Sequence, residues 1–595
     1  MNYYTDSLEW HWLFRNAVDW DTILPLYYKE YPTPEGFKDK DEVLNFLEEL
    51  LTATGEWTAT AVAGRARKLD EDGAGTIVDG RTVPGELLQK IYDEAKELQA
   101  YGLSVSAEHG GLGAPALVSL IAFTQMNRAC IAAATQVGFY GTIADMVERF
   151  CDRDTAARIV PRIVAGELSG SMCLTEAGAG SDVGAIKTSA VKQADGTYLL
   201  NGAKIFITNA AGGLGFVLAR VKGAPEGLAG LSLFFVEQDL EVDGKTRLNY
   251  RVTKDEHKLG LHGSFTCEVV YEDTVARIIG QENEGFHHML YLMNEARIGV
   301  GFQALGGIEA CLAYAREYAL TRTQFGKPLL ELPLYRRNFE DWETERDAIR
   351  AMLVDTGSHF DIYQRLDLEL RHTGELCEDK RKQHQAALKW VRRRTPLVKY
   401  YCAEAYTKLS QMAVQALGGY GFMREYDAER YHRDSFGPLL YEGTSQIQAL
   451  MAMKDVMKYI MKNPGRFFQT IFYSHPFGVY FSEDNEYQRD FINLQYRFKK
   501  ALSSLLMRVF KPGLEKWDFA ELAKLFKAKT WFTEEKFELL MEHAETLCQA
   551  MAYLETLRVL AVHATREPGR GELFRRYAIL VKPRFAAIFE DWDVR

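Results

Sequence analysis

Hydrophobic positions change their period twice along this chain. Between Leu44 and about Arg162 they recur every three to four residues, as in Leu87, Leu88, Ile91, Ala95 and Leu98, with a break at Gly110-Gly111-Leu112-Gly113. That spacing gives a helix one apolar face and predicts a helical block. From about Leu168 to Ile279 short runs rich in β-branched and aromatic residues replace it. They include Tyr198-Leu199-Leu200, Ile205-Phe206-Ile207, Phe216-Val217-Leu218 and Leu231–Val236, separated by Asn-Gly, Gly-Gly and Asp-Gly pairs. Such runs predict an antiparallel β block, read as a small barrel. Helical spacing returns from about Phe286 to Tyr459, with a charged segment near Glu369–Arg394, and Pro464-Gly465 marks a boundary before a last helical block. In that block Leu540, Leu547 and Leu554 lie beside Ala544 and Met551 on one expected stripe of a helix over 533–564.

Composition narrows the picture. A chain of 595 residues, 47% hydrophobic and 26% charged, is expected to form two to four domains. Its 71 Lys and Arg stand against 82 Asp and Glu, a net charge of -11, so the concentrated positive field that nucleic acid requires is missing. Residues 465–595 carry 20 basic and 18 acidic side chains and are no exception. Lys524, Lys527 and Lys529, interleaved with Leu525, Phe526 and Trp531, form the one stretch read for peripheral membrane contact. No apolar run approaches the roughly 20 residues that span a bilayer. The start, Met1–Asp6, lacks a cationic segment followed by an apolar one, so a cytoplasmic protein is expected. The eight cysteines are at least 21 residues apart, form no CxxC pair and are read as reduced thiols without a metal.

Four segments carry candidate chemistry. In Met172-Cys173-Leu174-Thr175-Glu176-Ala177-Gly178-Ala179-Gly180-Ser181-Asp182, small residues let backbone N–H groups approach a ligand, and Thr175 and Ser181 add hydroxyls. Asn201-Gly202-Ala203-Lys204-Ile205-Phe206-Ile207-Thr208-Asn209 reads as a hairpin turn followed by a strand. Its Phe206 and Thr208 share one face and suit a planar heterocycle. Arg322-Thr323-Gln324-Phe325-Gly326-Lys327-Pro328 offers a cationic fork and an amide for a diphosphate or an adenine. The fourth runs from Gln415-Ala416-Leu417-Gly418-Gly419 to Tyr441-Glu442-Gly443-Thr444-Ser445-Gln446, where Glu442 lies on a bend after Leu439-Leu440 and suits a desolvated base. Taken singly, each reads equally as a turn, a half-buried strand, a helix end or a solvated loop.

Together and in this order the four segments resemble the acyl-CoA dehydrogenase family over about residues 40–455. The longer N-terminus and added C-terminal block resemble its extended subgroup. The resemblance implies a mainly α fold with a central β-barrel. The expected divisions are an extension (1–39), a helical domain (40–165), a barrel (166–281), a four-helix domain (282–463) with a charged insertion near 335–395, and an additional helical domain (464–595). It implies FAD between the barrel and the four-helix domain, an acyl-CoA substrate, an electron-transferring flavoprotein as oxidant, and a homodimer. Met172, Leu174, Thr175, Gly180, Ser181, Phe206, Thr208, Thr444 and Gln446 are then expected along the flavin. Arg322, Gln324, Phe325, Gln415, Gly418 and Gly419 are expected against the flavin of a second subunit. Ser181, Asn294, Arg297, Tyr441 and Gly443 are expected against the substrate.

On this reading Glu442 removes the α-proton while the β-hydride leaves for the flavin, giving a trans-2-enoyl-CoA. The chain departs from the family's pattern at several points. Asn294 stands where Asp is frequent, Pro333 where Gln is usual, and the stretch between Arg322 and Gln415 is long, expected as a surface pair of helices or a lid. Some relatives carry the base beside the arginine corresponding to Arg297; that neighbour here is Ala296, which leaves Glu442. Two alternatives stay open: an oxidase that reduces oxygen, and a DNA-associated alkylation-response flavoprotein, against which the near-neutral C-terminal block argues.

Overall fold

The computed structural model describes residues 1–210, 212–510 and 533–594, so the Lys524–Trp531 stretch lies outside the described residues. Two compact units emerge. One comprises Met1–Tyr318, Thr356–Val391 and Tyr406–Glu442, the other Ala319–Asp355, Arg392–Ala405 and Gly443–Arg595.

In the first unit residues 1–39 are no loose extension. Trp10, Leu13, Phe14 and Trp20 are buried. The indole of Trp10 donates to Glu309 at 3.1 Å and that of Trp20 to the Phe14 carbonyl at 2.6 Å, the usual arrangement for a buried amphipathic ring. Helices α1 (Ala116–Ala129) and α2 (Ile131–Phe150) are separated by a single extended residue, Cys130. The barrel follows, built from β1 (Ser169–Cys173), β2 (Ser189–Lys192), β3 (Tyr198–Thr208), β4 (Gly213–Val221), β5 (Leu231–Glu237), β6 (Arg251–Asp255) and β7 (Thr266–Ile279). Strand β7 pairs with β3, β3 with β2, β2 with β4, β4 with β5 and β5 with β7 again, which closes a five-stranded ring. Strands β1 and β6 extend it alongside β4 and β7. Closure removes the unpaired edges that such a sheet would otherwise present.

The Asn201-Gly202 pair is not the expected turn. Strand β3 runs straight through it, and the chain reverses earlier, where Gly196 has φ +86° and Gln193 N–H donates to the Thr197 carbonyl at 2.8 Å. Asn201 instead exchanges two 3.0 Å hydrogen bonds with Asp273 across a bulge of β7. Gly202 has φ +153°, and a side chain there would meet Thr188. A bulge uses the same small or amide residues as a turn, which is why the sequence misleads here.

Helix α3 (Gly285–Thr321) contains an 18-residue window of mean hydropathy 1.3, long and apolar enough for a bilayer, contrary to the expectation from shorter runs. The window is 83% buried within the protein, so this is a core helix. The charged stretch near 335–395 takes the helical one of its two expected forms. It continues two long helices, α4 (Pro333–Thr373) and α5 (Glu378–Leu417). Within the first unit their distal halves face each other through His359 against Trp390 (ring centroids 4.8 Å apart) and Lys380 against Glu369 (2.7 Å).

In the second unit the C-terminal helices α6 (Ser445–Lys462), α7 (Ala544–Arg566) and α8 (Gly571–Val594) share a core with segments of α4 and α5, so packing does not separate a domain at residue 464. Glu345 accepts two hydrogen bonds from Arg584 (2.6 and 2.9 Å) and one from Tyr401 (3.0 Å), whose hydroxyl meets that of Tyr577 at 3.0 Å. The expected helix over 533–564 breaks at His543, and its buried face is wider than one stripe. It includes Cys548, Tyr553, Thr556 and Leu557, while Met551 and Leu554 are only half-buried. Several neighbouring helices, rather than one, cover it.

Removing one partner of a buried ion pair strands the other, at about 3 kcal/mol or more. Glu345→Ala is therefore expected to lower the free energy of unfolding by about that amount in chemical denaturation, with Glu345→Gln intermediate because it keeps an acceptor for Tyr401.

Candidate active site

Glu442 follows the short helix Phe436–Leu440 and precedes α6, in a bend where two successive residues have left-handed backbones: Glu442 at φ +58° and Gly443 at +88°. Glycine takes this conformation freely, whereas a glutamate there costs energy and needs support from its surroundings. Support comes from both sides. Buried Arg297 donates from Nε to the Glu442 carbonyl at 3.0 Å and from Nη1 to Asn294 at 3.2 Å. The Tyr441 hydroxyl donates to Gln303 Oε1, and Gln303 Nε2 in turn donates to Thr135 at 2.9 Å. Tyr441 has room because residue 437 is glycine, where a side chain would come within 3.0 Å of its ring. On the other side of the bend, Thr444 Oγ1 caps α6 by accepting from the Ile447 N–H at 3.4 Å. Burial lowers the Arg297 guanidinium below its ordinary range, and the nearby Glu442 charge works in the opposite direction.

The glycine-rich loop and strand β3 are joined by a buried ion pair. Lys204, with no exposed side-chain surface, donates to Glu176 at 2.8 Å and to the Leu174 carbonyl at 2.9 Å. Glu176 also accepts from the Thr188 hydroxyl (2.6 Å) and the Lys187 N–H (2.6 Å), and the Ile205 N–H donates to the Thr175 carbonyl at 2.9 Å. Burial alone would raise the Glu176 carboxyl; the lysine charge and these hydrogen bonds hold it below the usual carboxylate range. The loop itself is a tight turn closed by reciprocal 3.0 Å bonds between Glu176 and Ala179. Beyond Lys204 the strand bulges, with left-handed backbones at Phe206 (φ +60°) and Asn209 (φ +56°). Asn209 is held by bonds to Ser169 (2.8 Å) and to the Gly170 carbonyl (2.9 Å). Phe206 is left 59% exposed, an aromatic face with no protein cover.

A cavity of about 270 Å³ lies within the first unit. Met172, Thr208, Tyr441 and Glu442 all line it, so three of the four sequence segments converge on one space. One face each of α1, α2 and α3 and the distal half of α4 complete its wall. Tyr27 also lines it and donates to buried Asp361 at 2.5 Å. Comparison with known proteins gives the same answer from sequence. Models of the N-terminal, middle and C-terminal domains of acyl-CoA dehydrogenases match residues 47–167, 171–274 and 283–457.

The chain belongs to the acyl-CoA dehydrogenase family.

It is 30% identical to the 3-methylmercaptopropionyl-CoA dehydrogenase of Ruegeria pomeroyi over 441 residues, 71% of this chain and 73% of that one. With the acyl-CoA dehydrogenase of Bacillus subtilis it shares 31% over 357 residues, 59% of this chain and 86% of the other. Its fold resembles that of an acyl-CoA dehydrogenase from Bacillus anthracis solved with FAD, at a TM-score of 0.74 and 20% identity, covering 96% of this chain and 91% of that chain. The likeness of fold thus extends through the C-terminal helices, past the last residue the domain models match.

The side chain of Arg297, expected with Asn294 against the substrate, bonds to Asn294 and to the Glu442 carbonyl, and neither residue lines this cavity. Leu174 and Thr175 are half-buried beside the Lys204 tie, while Gly180, Ser181 and Gln415 are exposed. Gly418 and Gly419 have nothing within 4 Å of where a side chain would stand. Arg322, Gln324 and Phe325 are exposed on a hairpin between Thr323–Gln324 and Lys327–Pro328. Gln446 donates to Glu545 at 3.1 Å, and a side chain at Gly443 would come within 2.7 Å of Gln448. Sequence reasoning missed Gln303, Thr135 and Glu295. Glu295, Gly299 and Gln303 recur every four residues along α3, and that polar line in an otherwise apolar helix was the available signal.

Two outcomes follow from this geometry. Arg297→Ala releases the bend, and a base displaced by about 1 Å costs about 10²-fold in turnover; kcat is expected to fall by that order with flavin content unchanged. Burial pushes Asp361 up to about 6 from an ordinary 3.8. The native state therefore holds this proton more tightly than the unfolded chain, and the stability it confers is complete below about pH 4 and lost as pH rises to about 6. Across that window the wild type is expected to lose stability relative to Asp361→Asn, measured by denaturant unfolding at stepped pH.

Proposed function

We propose that this protein oxidises an acyl-CoA thioester to the trans-2-enoyl-CoA, with Glu442 as the α-proton base and FAD as its cofactor. The observation that carries the reading is the convergence of Glu442 with Met172 and Thr208 on one cavity. Thioester α-protons are weakly acidic, so the base must be aimed and the developing enolate oxygen must meet fixed donors. Arg297 and the Tyr441–Gln303 contact aim the base by fixing both the carbonyl of residue 442 and the side chain before it. The Glu442 backbone N–H is assigned to the thioester oxygen.

The residues present fit a flavin. Phe206 offers an uncovered aromatic face beside Thr208, and the open glycines 418 and 419 leave space for close backbone approach. When bound, FAD supplies the two-electron acceptor for the hydrogen leaving Cβ. Met172, Thr175, Ser181, Phe206 and Thr208 hold its ring side, with Thr444 and Gln446 contributing from the start of α6. The hairpin tip supports a second copy of the chain. Phe325 is 91% exposed and, with Gly326, forms a two-residue turn with left-handed backbones (φ +52° and +77°). Holding a solvated phenylalanine in such a turn is unfavourable unless something covers it. We assign that cover to the FAD of a partner subunit, reached by Arg322, Gln324 and Phe325 and by Gln415, Gly418 and Gly419. The electron acceptor is assigned to an electron-transferring flavoprotein.

Anaerobic titration with saturated acyl-CoAs is expected to bleach the oxidised-flavin absorbance of the wild type. Glu442→Gln is expected to keep flavin and bind thioester without bleaching, and wild-type turnover by that variant would refute the assignment. Arg322→Ala should lower flavin occupancy, read from the ratio of flavin to protein absorbance; an unchanged ratio would remove the cross-subunit contact.

A further inference from the structure

The cavity is lined mostly by apolar side chains, yet two polar groups without a partner lie in its wall. Its face on α3 carries Glu295, Ala296, Gly299, Val300 and Gln303, about 12 Å of helix, with Gln303 bound to the Glu442 bend and Glu295 two turns away. Glu295 Oε2 is buried without a hydrogen-bond partner. So is the hydroxyl of Ser119, which lines the same cavity from α1. Thr124 donates to the Phe302 carbonyl at 3.3 Å, and a side chain at Gly306 would meet Thr124 and Arg128, so α1 and α3 pack against each other.

The charges nearby are already spent on one another. Arg149 donates to Asp145 (2.8 Å) and Asp367 (3.0 Å), Arg371 to Asp367 (2.8 Å), and Gln364 to Asp145 (3.2 Å). Glu148 accepts from Ser106 and is 2.6 Å from His109. On the same wall Arg365 donates from Nε to the Leu26 carbonyl at 3.1 Å and lies over the Tyr27 ring. Burial drives the Glu295 carboxyl well above the usual range, the Asp145 charge adds to this and Arg149 offsets part of it. A protonated carboxyl at Glu295 would be a donor as well as an acceptor. Against a hydrocarbon chain, it and Ser119 would stay unsatisfied, which is the costly case for buried polar groups.

We infer that Glu295, with Ser119, is a specificity-determining seat for a neutral oxygen-bearing group, a hydroxyl, ketone or ether, on the acyl chain. The inference rests on the proposed function and names its substrate class: oxygenated acyl-CoA thioesters in preference to plain alkanoyl ones. A terminal carboxylate fits less well, because the cations of this sector, Arg149 and Arg371, are already paired with Asp145 and Asp367.

The test uses the holoenzyme and matched thioesters of equal length: unsubstituted alkanoyl-CoAs, the same chains with a hydroxyl at C4, C5 or C6, and the corresponding dicarboxylyl-CoAs. For each, kcat/KM and calorimetric Kd are measured with wild type, Glu295→Gln and Glu295→Leu. One hydroxyl position is expected to be preferred by at least about tenfold over its alkyl match. The near-isosteric Glu295→Gln is expected to keep most of that ratio, and Glu295→Leu to abolish it while alkanoyl-CoA oxidation persists. Equal use of alkyl and hydroxylated chains, or preference for the dicarboxylyl set, overturns the inference and leaves the proposed function standing. Failure of every thioester to reduce the flavin overturns both.

Discussion

Glu442, the carboxylate we assign as the base, sits in a backbone conformation that an L residue adopts at a cost of about 1–3 kcal/mol, and the proposed site depends on the groups that hold it there. Arg297 does most of this. It is buried, its charge faces Glu442, and its Nε fixes the carbonyl at the bend. Removing the arginine would release the Glu442 carbonyl and also take away a cation beside the carboxylate. The Tyr441–Gln303–Thr135 line anchors the residue before the bend to α3 and α2, so the base is referenced to the same helices that wall the cavity. Strain at Glu442 and rigidity around it belong to one design, in which the packed core keeps a costly turn in place.

A second constraint acts on the barrel. The loop 174–181 and strand β3 are distant in sequence by some two dozen residues, yet buried Lys204 and half-buried Glu176 tie them through an ion pair. Lys204 would not be tolerated alone at such burial. The tie sets the loop against the bulge that leaves Phe206 uncovered, and so couples two segments assigned to the flavin. Closure of the five strands gives that arrangement a stiff support.

Much of this was legible from the chain. The switch from helical to alternating period located the barrel, and three of the four motifs contribute residues to one cavity. What escaped the reading has identifiable physical causes. Asn201-Gly202 reads as a turn because turns and bulges recruit the same residues, and only the opposite strand, through Asp273, decides between them. That Arg297 bonds the Glu442 carbonyl was not read from the chain, since a sequence shows which charges exist but not which backbone groups they meet. The stretch 335–395 read as a surface pair of helices or a lid because its outward residues are charged. Its inward ones, Phe360, Gln364 and Leu368, line the cavity at helical spacing that net charge conceals. Glu295 went unnoticed because α3 carries acids at Glu295, Glu309 and Glu317, and the sequence does not mark which of them lies against the cavity.

The central claim, that a glutamate held by Arg297 in a left-handed bend is the α-proton base, is tested most directly by exchange. Holoenzyme is incubated anaerobically with an acyl-CoA in deuterium oxide, and deuterium at the thioester α-carbon is followed by mass spectrometry. The account predicts rapid α-deuteration by the wild type, slowed exchange in Arg297→Ala and none above the buffer rate in Glu442→Gln. Exchange at the wild-type rate in the Glu442→Gln protein would contradict it and place the base elsewhere in the cavity.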